Sequence, residues 1–327
     1  MPIARFVPRI DRFLVWLTLA VVIASLLPAR SAVGDLFWLL SKIAIVLLFF
    51  LHGAKLSREA ILRGLGNWPL HLATLGITFA LFPGLGLASA WLAGGWIDPL
   101  IVSGLLFLTL LSSTVQSSIA LVSIARGNVA AAVCSASLSN LLGILITPLL
   151  VALLMTAGKA QQGFDWQVIR TVTVLLLLPF IVGHLLRSWI GDWIERNKKL
   201  LMPVDRGSIL LVVYSAFSEA VIGGIWSRVD APDLAVLLAV SAAILGLAML
   251  AVLGLAWIMR MPREDFIVLL FCGSQKSLVT GVPMAGALFA PAQVGIVVLP
   301  LMIYHQLQLF VHAWIAARLA NEAPEAT

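Results

Sequence analysis

Ten apolar tracts follow one another along the chain, each about as long as the twenty or so residues a helix needs to cross a bilayer. They cover roughly 12–29, 33–53, 68–93, 99–125, 129–156, 167–189, 207–226, 233–259, 266–290 and 293–319. A soluble domain cannot hide so much hydrocarbon, because 61% of the 327 residues are apolar and 11% are charged. Transmembrane strands would alternate apolar and polar positions over about ten residues, and the tracts do not. The expected fold class is an all-α membrane protein with ten transmembrane helices. The first tract follows Arg5, Arg9 and Arg12 as the core of a signal peptide would, but no small-residue cleavage site stands out, so it is read as a retained helix.

The net charge of +6 carries topological information. With the N-terminus in the cytoplasm, Lys55, Arg58, Arg63, Arg126, Arg187, Arg196, Lys198, Lys199, Arg206, Arg260, Arg263 and Arg318 fall on the same side as the N-terminal arginines. The other side keeps Arg30, Lys159 and Arg228, so both termini are expected in the cytoplasm, in a bacterial inner (plasma) membrane. Basic residues confined to short loops argue against nucleic acid as a partner; the lipid bilayer is the expected one. The segment "RSWIGDWIERNKKLLMPVDR" suits an amphipathic stretch on the cytoplasmic surface. This linker, 187–206, separates 1–186, with the first five spans and the start of the sixth, from 207–327. Five spans per half force the second half to enter the membrane the other way up, as an inverted repeat.

Two stretches break the apolar pattern. "LSSTVQSSIALVSIARGN" (111–128) and "FCGSQKSLVTGVPMA" (271–285) occupy the fourth span of each half, and Gln116-Ser117-Ser118 aligns with Gln275-Lys276-Ser277. Gly273, Gly281 and Pro283 around Ser274, Gln275, Lys276 and Ser277 suit a helix that breaks at mid-membrane and frees amides and carbonyls for a ligand. Ser112, Ser113, Thr114, Gln116, Ser117 and Ser118 have hydroxyls but no Gly or Pro among them, so a break there rests on less. The alternative is that small polar residues only let helices pack closely. Candidate substrate- or ion-binding residues are Thr114, Gln116, Ser117, Ser118, Ser274, Gln275, Lys276 and Ser277, with Ser135 and His305 as further candidates. Lys42, in the second tract, and Glu219, in the seventh, are expected deep in the membrane, either paired with each other or part of a substrate or proton site. Cys134 and Cys272 lack metal-ligand spacing and read as small buried hydrophobes.

With these residues in view, the chain resembles the bile acid:sodium symporter superfamily, in its divergent SBF-like branch. The resemblance rests on "ARGNVAAAVCSASLSNLLGILITPLL" (125–150), "FCGSQKSLVTGVPM" (271–284) and "PLMIYH" (300–305) and covers nearly the whole chain. It implies a panel domain from spans 1, 2, 6 and 7, a core domain from spans 3, 4, 5, 8, 9 and 10, and broken spans 4 and 9 that cross. The departures fall on the sodium ligands. Phe271 stands where the family has a glutamate and Lys276 where it has an asparagine, and Ala132 and Ala136 replace two hydroxyl residues. The Lys276 ammonium is therefore expected to take a bound cation's place.

The resemblance implies a secondary active transporter, with no cofactor beyond a coupling sodium ion or proton, and the positive Lys276 flanked by half-helix amino termini points to a small anionic solute. A membrane regulator retaining the fold is the alternative. A Ser-Lys enzyme built on Ser274, Lys276 and Ser277 is a third reading, against which residues one or two apart on a helix point in different directions.

Overall fold

A computed structural model of the chain describes residues 12–55, 67–155, 170–171 and 173–321. Arg5, Arg9, Arg58, Arg63 and Lys159, used above for orientation, lie outside them. The described residues form helices: α1 (Arg12–Leu26), α2 (Ser31–Lys55), α3 (Trp68–Gly76), α4 (Phe82–Ala93), α5 (Pro99–Thr109), α6 (Gln116–Ile124), α7 (Val129–Leu154), α8 (Leu178–Arg196), α9 (Lys198–Ile222), α10 (Ile225–Arg228), α11 (Ala231–Ile258), α12 (Arg263–Ser274), α13 (Leu278–Leu288) and α14 (Pro291–Asn321). A π-helical turn, Ile77–Leu81, joins α3 to α4, and another, Thr173–Leu177, leads into α8. Each precedes a proline, Pro83 or Pro179, whose missing N–H and bulky ring disturb the regular ladder one turn back.

Eight helices are long and apolar enough to cross a membrane, counting Trp68–Ala93 and Arg263–Leu288 as one each, and two shorter apolar helices, Val15–Leu26 and Pro99–Thr109, accompany them. The fourth predicted tract is not among the eight because its helix stops at Thr109 and resumes at Gln116, where a break is expected. Across the expected linker, 187–206, the chain is helical: α8 runs on to Arg196, and α9 starts one residue after Asn197. Gly191 is the only weak helix former between Arg187 and Arg196, so the helix simply continues out of its apolar part. Trp189 and Trp193 project from it into the surroundings, where an indole suits the membrane interface.

Packing sorts the helices into two groups. In one, α2 lies along α8 and against α9, and α1 lies against α9. The α2–α8 approach is set by a reciprocal pair of glycines. A Cβ on Gly53 would stand 2.0 Å from the Phe180 carbonyl oxygen, and one on Gly183 would stand 2.0 Å from that of Phe50. The other group packs α3 to α7 with α11 to α14. The Arg263–Leu288 pair sits at its centre, with 89% of its apolar window buried, against 22 to 56% for the other seven. This segment, which carries Ser274, Gln275, Lys276 and Ser277, is thus the most enclosed, as the cost of polar groups in hydrocarbon requires.

Candidate functional site

Both polar stretches interrupt their helices, and the two interruptions meet. Gln275 and Ser277 adopt extended backbone between α12 and α13, while residues 110–115 separate α5 from α6. Ser277 N donates to Ser112 O at 2.9 Å, which ties one break to the other. Unwound backbone in an apolar interior needs a partner for each N–H and C=O, and α14 supplies most of them at four-residue intervals. Tyr304 Oη donates to Ser274 O at 3.0 Å. The Gln308 amide accepts from Lys276 N at 2.8 Å through Oε1 and donates to Lys276 O at 2.9 Å through Nε2, completing both hydrogen bonds of one residue. At the first break, Thr147 Oγ1 donates to Leu110 O at 2.8 Å, and Ser113 N donates to Ser139 Oγ at 3.1 Å. Satisfied in this way, a break needs no glycine or proline, which is why the first one was hard to read from sequence.

Lys276 is fully buried, and its Nζ donates to three backbone carbonyls: Thr78 at 2.9 Å, Thr109 at 2.9 Å and Leu111 at 2.7 Å. The ring of Phe82 covers the remaining side, with its centroid 4.1 Å from Nζ. Neighbouring Gln275 is equally buried. Its Oε1 gathers the hydroxyls of Thr114, Ser117 (2.9 Å) and Ser118 (3.0 Å), and its Nε2 lies 3.1 Å from His312 Nδ1. His312 Nε2 faces Ser274 Oγ at 3.1 Å, and Ser274 Oγ in turn donates to Leu270 O. With the hydroxyl proton spent on Leu270, the ring N–H belongs on Nε2, leaving Nδ1 to accept from the glutamine. The lysine has no serine to activate, which removes the geometry that a Ser-Lys enzyme needs.

In front of this crossing lies a cavity of about 340 Å³. Its polar lining at the crossing comes from Thr114, Gln116, Ser117, Asn140, Ser277 and Thr280. Toward the other helix group it meets His52, Lys55, Asp205 and Arg206, with His305 from α14. Lys55 forms an ion pair with Asp205, the single carboxylate in the lining among the described residues, and the Arg206 guanidinium stacks 5.6 Å from the centroid of Phe13. The lining therefore carries more positive than negative groups.

Of the expected site residues, Thr114, Gln116, Ser117, Ser277 and His305 line the cavity, whereas Ser118, Ser274, Gln275 and Lys276 form the buried layer behind it. Ser135 stands apart, held at 2.7 Å by His71 Nδ1. The copies do not match residue for residue, because Gln116 opens α6 whereas Gln275 lies three residues before α13. Lys42 and Glu219 do not pair. Lys42 Nζ sits 5.8 Å from the Trp38 ring centroid, and the Glu219 carboxylate lies beside Gly34, eight residues or about 12 Å away along α2. Glu219 belongs to the last turn of α9. Sequence reasoning missed Tyr304, Gln308 and His312 as a set, although their four-residue spacing in an apolar helix marks a single polar stripe. Of the positions that the resemblance assigns to sodium ligands, Gln275, Ser118 and Gln116 keep a side-chain oxygen, whereas Phe271, Ala132 and Ala136 do not. Phe271 packs edge-on against His312, with centroids 5.4 Å apart, and Ala132 and Ala136 offer no side-chain oxygen.

An all-helical membrane protein with two touching helix breaks behind a polar cavity has the construction of a secondary transporter. The sequence agrees. Residues 11–321 match the SBF-like CPA transporter family, and the chain belongs to it. Relatives include "Putative symporter YfeH" of Escherichia coli, 48% identical over 97% of this chain and 95% of that protein. "Uncharacterized protein PA2026" of Pseudomonas aeruginosa is 50% identical over 98% of this chain and 96% of its own length. Sodium/bile acid cotransporter 7 of Rattus norvegicus is 25% identical, with 95% of each chain covered.

Proposed function

We propose that this protein is a secondary active transporter that carries a small organic anion by alternating access, with ten spans arranged as two inverted five-span repeats and both termini in the cytoplasm of a bacterial inner membrane. The observation that carries the reading is the cavity between the two helix groups. One wall presents uncharged hydrogen-bonding groups from the crossing, suited to a solute's polar atoms, and the opposite end presents Lys55 and Arg206 against Asp205, the one carboxylate of the lining among the described residues. The α1, α2, α8 and α9 group then serves as the panel, and the helices around the crossing form the core that rocks against it. Lys55 and Arg206 lie at the end assigned to the cytoplasm by its basic residues, so the cavity corresponds to an inward-facing state.

The test is counterflow in proteoliposomes. Vesicles preloaded with an unlabelled carboxylate or sulfate ester should accumulate the same labelled solute for at least one member of a panel, and Arg206→Gln should slow that entry. No accumulation of any anion, with the protein folded and correctly inserted, would favour the non-transporting regulator instead.

A further inference from the structure

We infer that the carbonyl cage around Lys276 is a monovalent-cation site that the chain fills with its own ammonium group, so that deleting this side chain creates a site for sodium. The cage is built from three chain segments. Thr78 O belongs to the π-helical turn, Thr109 O to the C-terminal turn of α5, and Leu111 O to the first break. Carbonyls at a helix C-terminus carry the negative end of the helix dipole, and those of Thr109 and Leu111 no longer have a following turn to bond to. An oxygen-lined pocket of this kind is the donor set that hard monovalent cations take, as in the unwound helices of ion-coupled carriers.

The geometry also suits a charged occupant. Three acceptors within 2.7 to 2.9 Å need three N–H donors, which an ammonium has and a neutral amine lacks. Burial without a carboxylate among its bonded partners would be costly for that charge, and the carbonyl dipoles together with the Phe82 face offset the cost. A fourth oxygen is available nearby: Thr78 Oγ1, on the residue whose carbonyl already holds Nζ, is buried with no hydrogen-bond partner.

The cage also joins two otherwise separate devices. Lys276 belongs to the second break, and its ligands belong to the first break and to the π-turn, so one ammonium fixes the relative position of all three. A bound ion would do the same job only while present. The lysine makes that order permanent, and the wild-type protein should therefore show no specific requirement for sodium in holding the crossing together. This consequence rests on the transporter reading only for its bearing on coupling; the cage itself is tested by stability alone.

The experiment is thermal unfolding of purified full-length protein in detergent, in sodium, potassium or choline chloride at one ionic strength, for wild type, Lys276→Ala and Lys276→Met. Wild type should melt at one temperature in all three salts. Lys276→Ala should melt lower in choline and recover by several degrees as sodium is added, saturably, because a ligand that binds only the folded state raises its stability. Lys276→Met fills the cage with an uncharged stem, so it should melt below wild type and ignore the salt. Indifference of Lys276→Ala to sodium and potassium, a sodium-specific rise in wild type, or a Lys276→Met variant as stable as wild type would each overturn the inference. Should Lys276→Ala fold poorly, its yield of monodisperse protein in sodium against choline decides: a yield dependent on sodium supports the site, and failure in both salts overturns it. Counterflow is read separately, so a protein that transports nothing would leave the cage result standing.

Discussion

Replacing Gln308 by leucine removes the amide that completes the hydrogen bonding of Lys276's backbone while nearly keeping the volume. Two buried groups lose their partner together, Lys276 N–H at 2.8 Å and Lys276 C=O at 2.9 Å. An unsatisfied buried donor or acceptor costs about 1–3 kcal/mol, so the pair puts the loss at about 2–6 kcal/mol. His305 Nδ1, 3.3 Å from the same carbonyl, could compensate only in the tautomer with its proton on that nitrogen, and it loses the Gln308 donor at 2.7 Å in doing so. An unfolding entropy of about 2 cal/mol/K per residue over this length makes 1 kcal/mol worth about 1.5 °C, so Gln308→Leu should melt about 3–9 °C below wild type. The assay is a scan of both proteins at one heating rate in one detergent, since unfolding of such a protein is commonly irreversible. A shift below about 1 °C would mean that water or a backbone adjustment satisfies Lys276 at little cost, and the claim that α14 holds the break open would fail.

The remaining expectations concern packing, capping and the cavity. Gly53→Ala and Gly183→Ala should each force α2 and α8 apart, because the new methyl would lie 2.0 Å from a carbonyl oxygen, well inside contact distance; either should cost about 2 kcal/mol or more, read as a lower melting temperature and reduced folded yield. Ser277→Ala removes the cap that accepts from Thr280 N at 3.2 Å and should cost about 1 kcal/mol in the same scan, with a raised KM for transport because Ser277 also lines the cavity. Asp205→Asn removes the one carboxylate of the lining among the described residues and releases Lys55 from its ion pair. It should tighten binding of an anionic solute roughly tenfold, the size expected for a unit charge about 10 Å away at an effective dielectric near 20 after partial screening, and calorimetry that found weaker binding would refute the charge argument.

Composition and tract length carry the fold class because hydrocarbon thickness sets helix length, and that constraint acts on each helix separately. The second break was legible for a similar reason: Gly273, Gly281 and Pro283 weaken a helix wherever they occur. The first break was less so. Its stability comes from Thr147, Ser139, Ser277 and Lys276, which are distant in sequence and act only after the helices cross. The same limit applies to the two charges: hydropathy located Lys42 and Glu219 within tracts, but that Lys42 lies midway along α2 while Glu219 falls in the last turn of α9 beside Gly34 depends on how the helices pack. The cavity's charged end was hidden for yet another reason. Lys55, Asp205 and Arg206 look like ordinary loop residues until two helices extend past the apolar tracts and bring them together over the crossing.

The way the two helix groups touch bears on how the cavity could change sides. Between α9 and α14 the cavity opens at the level of Arg206, Ile209, His305 and Leu309, whereas the opposite ends of the same two helices are in close contact. There Gly295 faces Ala216 and Ala220: a Cβ on Gly295 would lie 2.6 Å from Ala220 Cβ and 3.1 Å from Ala216 O. Nearer the middle, Gly286 abuts Ile45 and Val212. These contacts are made by small and aliphatic residues, so separating them requires apolar surfaces to part but no hydrogen bond to break. The crossing, by contrast, is bound within itself by Lys276, Gln275 and Gln308. On the proposed transporter reading, that contrast in bonding would make the crossing the stiff body that rocks against the other helix group, with this small-residue face as the seal. Gly295→Val should wedge the seal apart and shift the population toward the state open on that side. A cysteine placed at Ser137, in the cavity lining, reports the shift: in oriented vesicles carrying Gly295→Val, an impermeant thiol reagent should label it more slowly from the Lys55 side and faster from the other. Unchanged labelling from both sides, in a variant that still folds, would mean that the α9–α14 contact is not the seal and that the groups move about a different axis.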